Sequence, residues 1–201
     1  IMDDTPMNIQ WYPGHMAKAR RMIAENVKLV DIVCEIVDAR IPISSRNPEL
    51  DNIVGKKPRL LILNRIDLAD PNVTGLWKKK FGEMSISVLE TDSKSGKGVS
   101  RFSHAVKEAM KEKLAAYAQK GQASRSLKAM IVGIPNVGKS TFINKVAKRK
   151  AAPASDKPGV TRGKQWINVD KSLELLDTPG LLWPKLEGPD TGVNLAFTGA
   201  V

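Results

Sequence analysis

The chain has 201 residues, 42% of them hydrophobic, and its 32 lysines and arginines against 21 aspartates and glutamates give a net charge of +11. That length buries one substantial α/β core with a small appendage, and the hydrophobic share is ordinary for a globular domain. No apolar run reaches the roughly 18 residues of a membrane span, no basic-then-apolar leader opens the chain, and the single cysteine, Cys34, excludes a disulfide framework. A lone thiol inside the apolar stretch DIVCEIV fits a reducing cytosol, so a cytoplasmic location is expected, with the thiol buried and inert. The basic residues cluster as KARR at 18–21, GKKPR at 55–59, KKK at 78–80 and KRK at 148–150. Clustering of this kind favours a polyanionic partner, nucleic acid above all, over a merely solubilising charge.

Met16, Ala19, Ile23 and Val27 recur at helical spacing and predict an amphipathic helix over 15–28. LVDIVCEIVDAR at 29–40 is a near-continuous apolar run rich in valine and isoleucine, as a strand buried on both faces requires. PRLLILN at 58–64 and SISVLET at 85–91 read as two more strands, with a helix at 72–83 that Gly75 weakens. A long helix is expected over 99–120, stopped by Gly121, before a polar linker at 121–127. KAMIVGI at 128–134 is a fourth buried strand, and a helix over 139–150 follows a glycine-rich turn. Residues 150–164, with Pro153, Pro158 and Gly159, read as a mobile loop. KQWINV and SLELLD are two final strands that VDKS can join as a hairpin, and the remainder reads as loop with one or two helical turns. Strands alternating with helices imply an α/β fold with a mostly parallel, doubly wound sheet, whose ligands bind at the carboxyl ends of strands.

The motifs fall at those ends. GIPNVGKS at 133–140 matches the phosphate-loop pattern, with a strand before it and a helix after. Its N–H groups and the helix N-terminus converge on phosphate oxygens. Lys139 would reach the β- and γ-phosphates and Ser140 would bind Mg²⁺, so Asn136, Val137, Gly138, Lys139, Ser140 and Thr141 are candidate nucleotide contacts. Asp177, in DTPG, would hold Mg²⁺ through its water shell, and the Gly180 N–H can bond the γ-phosphate. Thr161, in the loop between, can complete the Mg²⁺ shell when triphosphate is bound, or can be an ordinary loop threonine. Asn64, Arg65, Ile66 and Asp67 end the second strand. A carboxylate at Asp67 can accept from guanine N1–H and N2–H₂, a donor pair that adenine lacks. Asp92 and Ser93, before Lys94, end the third strand, where the Ser93 N–H can bond guanine O6.

The motif order is base, base, phosphate, switch, switch, whereas an ordinary guanine-nucleotide switch protein has the phosphate loop first. Short connections let one sheet be closed with different ends, so the domain reads as circularly permuted. The long helix 99–120 is the element that usually ends such a domain, and KAMIVGI the strand that usually begins it.

This order, with WYPGHMAKA at 11–19, VDARIPISSRNP at 37–48, NRID, GIPNVGKST, PGVT and DTPGLLWPK, resembles the YlqF-type circularly permuted GTPases, called ribosome biogenesis GTPase A in bacteria. The resemblance covers essentially the whole chain. It implies a P-loop GTPase domain that binds GTP and GDP with Mg²⁺ and couples hydrolysis to late assembly of the large ribosomal subunit. The partners implied are that subunit and its rRNA; the protein itself is expected to be a monomer. Family members carry a C-terminal helical RNA-binding domain, so the apolar end LAFTGAV is expected to be a truncation. The division expected is an N-terminal segment and helix at 1–28, the permuted domain at 29–190, and the start of an extension at 191–201. A nucleotide-gated RNA-binding module and a stand-alone GTPase are the alternative readings. Two departures stand out: Arg65 replaces the usual lysine, and Asp92 stands where a small residue is usual.

After DTPG comes Leu181, where small signalling GTPases carry a water-orienting glutamine. Asn136 offers one remedy, support of a bound K⁺, or it merely closes the loop. His15, in the YPGHM turn before the first helix, offers another as a catalytic group; helix capping and RNA contact are its plainer readings.

Overall fold

The computed structural model describes residues 13–147, 164–178 and 189–199. Its strands are β1 (Ile32–Asp38), β2 (Arg59–Asn64), β3 (Ser87–Glu90), β4 (Leu127–Val132), β5 (Trp166–Asp170) and β6 (Leu173–Asp177). Its α-helices are α1 (Pro13–Val27), α2 (Leu50–Val54), α3 (Pro71–Glu83), α4 (Phe102–Ala109), α5 (Lys111–Gln119), α6 (Lys139–Val146) and α7 (Pro189–Phe197). The strands form one sheet in the order β3-β2-β1-β4-β6-β5. Every neighbouring pair is parallel except β5 with β6, the predicted hairpin. Asp170 closes that hairpin by accepting from the Ser172 N–H and hydroxyl at 2.7 Å.

The apolar runs are continuous because both sheet faces are covered. All seven residues of β1 are buried. Ile32, Cys34 and Ile36 face the helices α4 and α6, where Phe102 and Phe142 meet edge to face at 5.1 Å. Val33 faces α1 and α2 through Ile23, Val27, Leu50 and Val54, and Val37 packs with Leu61, Leu63 and Phe81 of α3. Burial pushes the Cys34 thiol up, so it is an inert core group as expected.

Helix α3 forms across Gly75 because its start is well built. Asp70 caps it by accepting from the N–H groups of Asn72 and Val73, and Pro71 takes the first position. The long helix expected over 99–120 is divided. A 3₁₀ turn at Val99–Arg101 leads into α4, and Met110, at φ −108° and ψ 7°, separates α4 from α5. The reason is burial: Val99, Phe102, Val106 and Met110 stay in the core, whereas α5 has no fully buried residue and rests only the half-buried Leu114 and Tyr117 against it. Gly121 then ends α5 at φ +73°, as expected. The first helix starts at Pro13, two residues earlier than predicted, so His15 lies within its first turn and not in a turn before it. The short helix α2 was not foreseen; Asn47 supports its approach by accepting from the Glu49 N–H at 3.0 Å. The loop 150–163, with Thr161, and residues 179–188, with Gly180 and Leu181, lie outside the described residues.

Helix α7 exceeds the expected turn or two. Its Leu195 is fully buried in the main core, and Asn194 donates to the Ser44 hydroxyl at 3.1 Å. Among the described residues no helix is long and apolar enough to cross a membrane.

Candidate guanine-nucleotide site

The carboxyl ends of the parallel strands share one edge of the sheet, where the described parts of the base motif, the loop after β3, the phosphate loop and the start of DTPG come together. Asn64 is the junction. It is 2% exposed, its Nδ2 donates to the Val137 carbonyl at 2.8 Å, and its Oδ1 accepts from the Thr91 hydroxyl at 3.0 Å. The same oxygen accepts from the Ser93 N–H at 3.0 Å and the Ser93 hydroxyl at 2.7 Å. One buried amide therefore joins the base motif, the loop after β3 and the phosphate loop. The Ser93 N–H, a candidate donor to guanine O6, donates to Asn64 Oδ1 in this structure. The cause is proximity: β2 and β3 are neighbours, so their carboxyl ends lie side by side. Asp92 accepts from the N–H of Lys94 at 3.0 Å and of Ser95 at 3.3 Å, and bonds from Ser95 hold its carboxyl below the usual range. Its side chain thus shapes the turn.

Arg65 follows in left-handed backbone, φ 62°. A 3₁₀ turn over Ile66–Leu68 then presents the exposed Asp67 at an open cleft of about 250 Å³ lined by Ile66, Asp67, Pro71, Thr74, Glu90 and Lys97.

The phosphate loop connects β4 to α6. A Cβ on Gly138, at φ +94°, would sit 2.3 Å from Asn64 Nδ2, so the loop curls only because this residue has no side chain. Asn136 is left-handed at φ 60°, and its Nδ2 donates to the Gly199 carbonyl at 3.1 Å. Ser140 and Thr141 lie at the α6 N-terminus, Ser140 and Thr141 both exposed to solvent. Lys139 Nζ lies 2.5 Å from Asp177 Oδ1 and also donates to the Thr178 carbonyl. Thr178 Oγ1 in turn donates to the Ile131 carbonyl at 2.7 Å, which ties the DTPG segment to β4. An ammonium, a hydroxyl and a carboxylate thus share the corner between β4 and β6.

Residues 128–198 match the model of the 50S ribosome-binding GTPase family. A ribosome biogenesis GTPase A of Priestia megaterium is 54% identical over 196 residues, covering 97% of this chain and 68% of the relative. The chain belongs to the ribosome biogenesis GTPase A family. The relative of that name from Bacillus licheniformis is 53% identical, with 97% of this chain and 69% of its own length covered. The solved GNP-bound YlqF of T. maritima superposes with a TM-score of 0.65 at 28% identity, covering 92% of this chain and 66% of that one. The chain thus spans about two thirds of the length of these relatives.

This GTPase domain keeps the permuted order, with the base strand two places from the phosphate strand across β1. The residues present suit a magnesium nucleotide. The curled loop holds no side chain at Gly138, the α6 N-terminus is open, and Ser140 and Asp177 supply the hard oxygen donors that Mg²⁺ takes. Among the described residues no three acidic, histidine or cysteine side chains cluster as a metal cage. Residues that sequence reasoning missed are Thr91, which supports Asn64, and Asp38, which ends β1. Asp38 carried the same signal as Asp177, a carboxylate closing a buried apolar run.

Proposed function

We propose that this GTPase binds GTP with Mg²⁺ at the strand-end site and uses hydrolysis in late maturation of the large ribosomal subunit. The observation that carries the nucleotide reading is the Asn64 junction, which fixes base loop and phosphate loop in one frame. In that reading Asp67 accepts from guanine, Arg65 lays its aliphatic stem along the base, and the N–H groups from Asn136 to Thr141 hold the phosphates. Lys139 exchanges Asp177 for the β- and γ-phosphates, and Ser140 and Asp177 hold the ion, with Thr161 and Gly180 answering to the γ-phosphate. Mg²⁺, when bound, neutralises phosphate charge as it develops. Loss of the γ-phosphate would then release the loops at 150–164 and 177–190 and, with them, the factor.

The ribosomal part rests on the relatives' names and on the net charge of +11, which suits rRNA. We place the protein in the cytoplasm as a monomer, with the permuted domain at 29–190 between an N-terminal segment and the start of an extension. Asn136 would serve K⁺ through its Oδ1 while its Nδ2 donates to the Gly199 carbonyl, and K⁺ stimulation of turnover is the test of that role. His15 is proposed to act on the attacking water when the particle is bound. His15→Ala should then keep GTP affinity and subunit binding but lose most stimulated turnover. The main test is sedimentation with large subunits: the protein should co-sediment with GTP or a non-hydrolysable analogue and dissociate with GDP. Equal binding in all three states would overturn the switch.

A further inference from the structure

Strand β1 carries none of the nucleotide motifs, yet it separates base strand β2 from phosphate strand β4. It ends in Asp38, 1% exposed. Asp38 Oδ1 accepts from the Arg40 N–H at 3.0 Å and from Arg40 Nε at 2.9 Å. Its Oδ2 accepts from Arg40 Nη2 at 2.7 Å and from Arg65 Nη1 at 3.2 Å. The other arm of Arg65, Nη2, donates to the Asn136 carbonyl at 2.6 Å. Arg65 and Asn136 are both left-handed, at φ 62° and 60°, a conformation non-glycine residues seldom adopt. A single guanidinium thus spans two unusual turns and ties both to a buried carboxylate.

The arrangement is paired with its neighbour. Asn64 holds Val137 while Arg65 holds Asn136, so two consecutive base-loop residues grip two consecutive phosphate-loop residues. Arg65 also opens the turn that carries Asp67 two residues later. A guanidinium suits the task because its rigid fork serves two acceptors from separate nitrogens, whereas lysine has one point-like ammonium. We propose that Asp38 is a positioning residue for base recognition: it anchors Arg65, and through Arg65 keeps the Asp67 turn and the phosphate loop at one fixed spacing. The inference rests on the reading of Asp67 as the guanine-binding carboxylate. The plainer reading is that Asp38 only closes the Arg40 turn and that Arg65 meets it incidentally.

Asp38→Asn, Arg65→Lys and the double variant separate the two, with dissociation of GDP compared against inosine diphosphate, which lacks the 2-amino group. Wild-type protein should release inosine diphosphate faster. Each single variant should shrink that preference by about 3–10-fold, the net worth of one typical hydrogen bond. The double variant should lose no more than either single, because both substitutions break one bridge. A variant that releases both nucleotides faster by the same factor would show general loosening and overturn the proposal, as would losses that multiply in the double variant. Arg65 is partly exposed, so Arg65→Lys decides the matter alone if Asp38→Asn does not fold; an unchanged preference in it overturns the proposal. Wild-type protein that holds both nucleotides alike would instead overturn the reading of Asp67.

Discussion

Replacing Gly138 by alanine tests whether the phosphate loop is built as described. Two costs add. Alanine at φ +94° occupies a left-handed backbone region that costs a side-chain-bearing residue roughly 1–2 kcal/mol. The new Cβ also falls 2.3 Å from Asn64 Nδ2, so Asn64 must move and its bond to the Val137 carbonyl is lost. Leaving that buried pair unmade costs roughly 1–3 kcal/mol. The sum is roughly 2–5 kcal/mol, and at about 2–4 °C per kcal/mol for a domain of this size Tm should fall by roughly 4–20 °C. Thermal unfolding followed by circular dichroism, with urea unfolding beside it, reads both. The decisive comparison is the double variant with Asn64→Ala. If the clash is real, the second substitution removes the atom that the new Cβ would strike, and the double variant loses less than the sum of the singles. Strict additivity, or a loss in Gly138→Ala below about 1 kcal/mol, would refute the close approach of the two loops.

Asp67→Asn should weaken GTP binding and create binding of xanthosine nucleotides, since the donor and acceptor pattern inverts; unchanged GTP affinity would remove Asp67 from the base pocket. Lys139→Ala or Ser140→Ala should cut turnover at least about 100-fold with the fold retained, and wild-type turnover in either would mean the phosphate loop is misread. Binding to rRNA should fall steeply from low to moderate salt through counterion release, and a flat response would leave the charge merely solubilising. Burial raises the Asp38 carboxyl, but the Arg40 hydrogen bonds and the Arg40 and Arg65 charges overcome it and hold the pKa below its usual 3.8. A lowered carboxyl stabilises the fold above the unfolded pKa and loses that contribution as pH falls through the folded one. Acid unfolding below about pH 4 should therefore be shallower in Asp38→Asn than in wild type, and an unchanged acid limb would argue against the bonded carboxylate.

What the amino-acid sequence determined by itself is what neighbours in the chain control. Apolar runs such as RLLILN mark strands because both sheet faces are covered, and each motif is read from a few adjacent residues whose backbone groups act together. The order of those motifs carries the permutation, since order is a property of the chain alone. The division at Met110 was not legible, because helical periodicity continues across it and only the edge of the core ends the burial. Nor were the partners of Asn64, Arg65 and Asp38 legible. Asn64 bonds Val137 73 positions away, Arg65 bonds Asn136 71 positions away, and Asp38 meets Arg65 across 27. Such pairings follow from the sheet order β2-β1-β4, which alone brings three strand ends to one edge. The same closeness spends the Ser93 N–H on Asn64: a hydrogen bond is allotted by distance in space, and tertiary structure sets that distance.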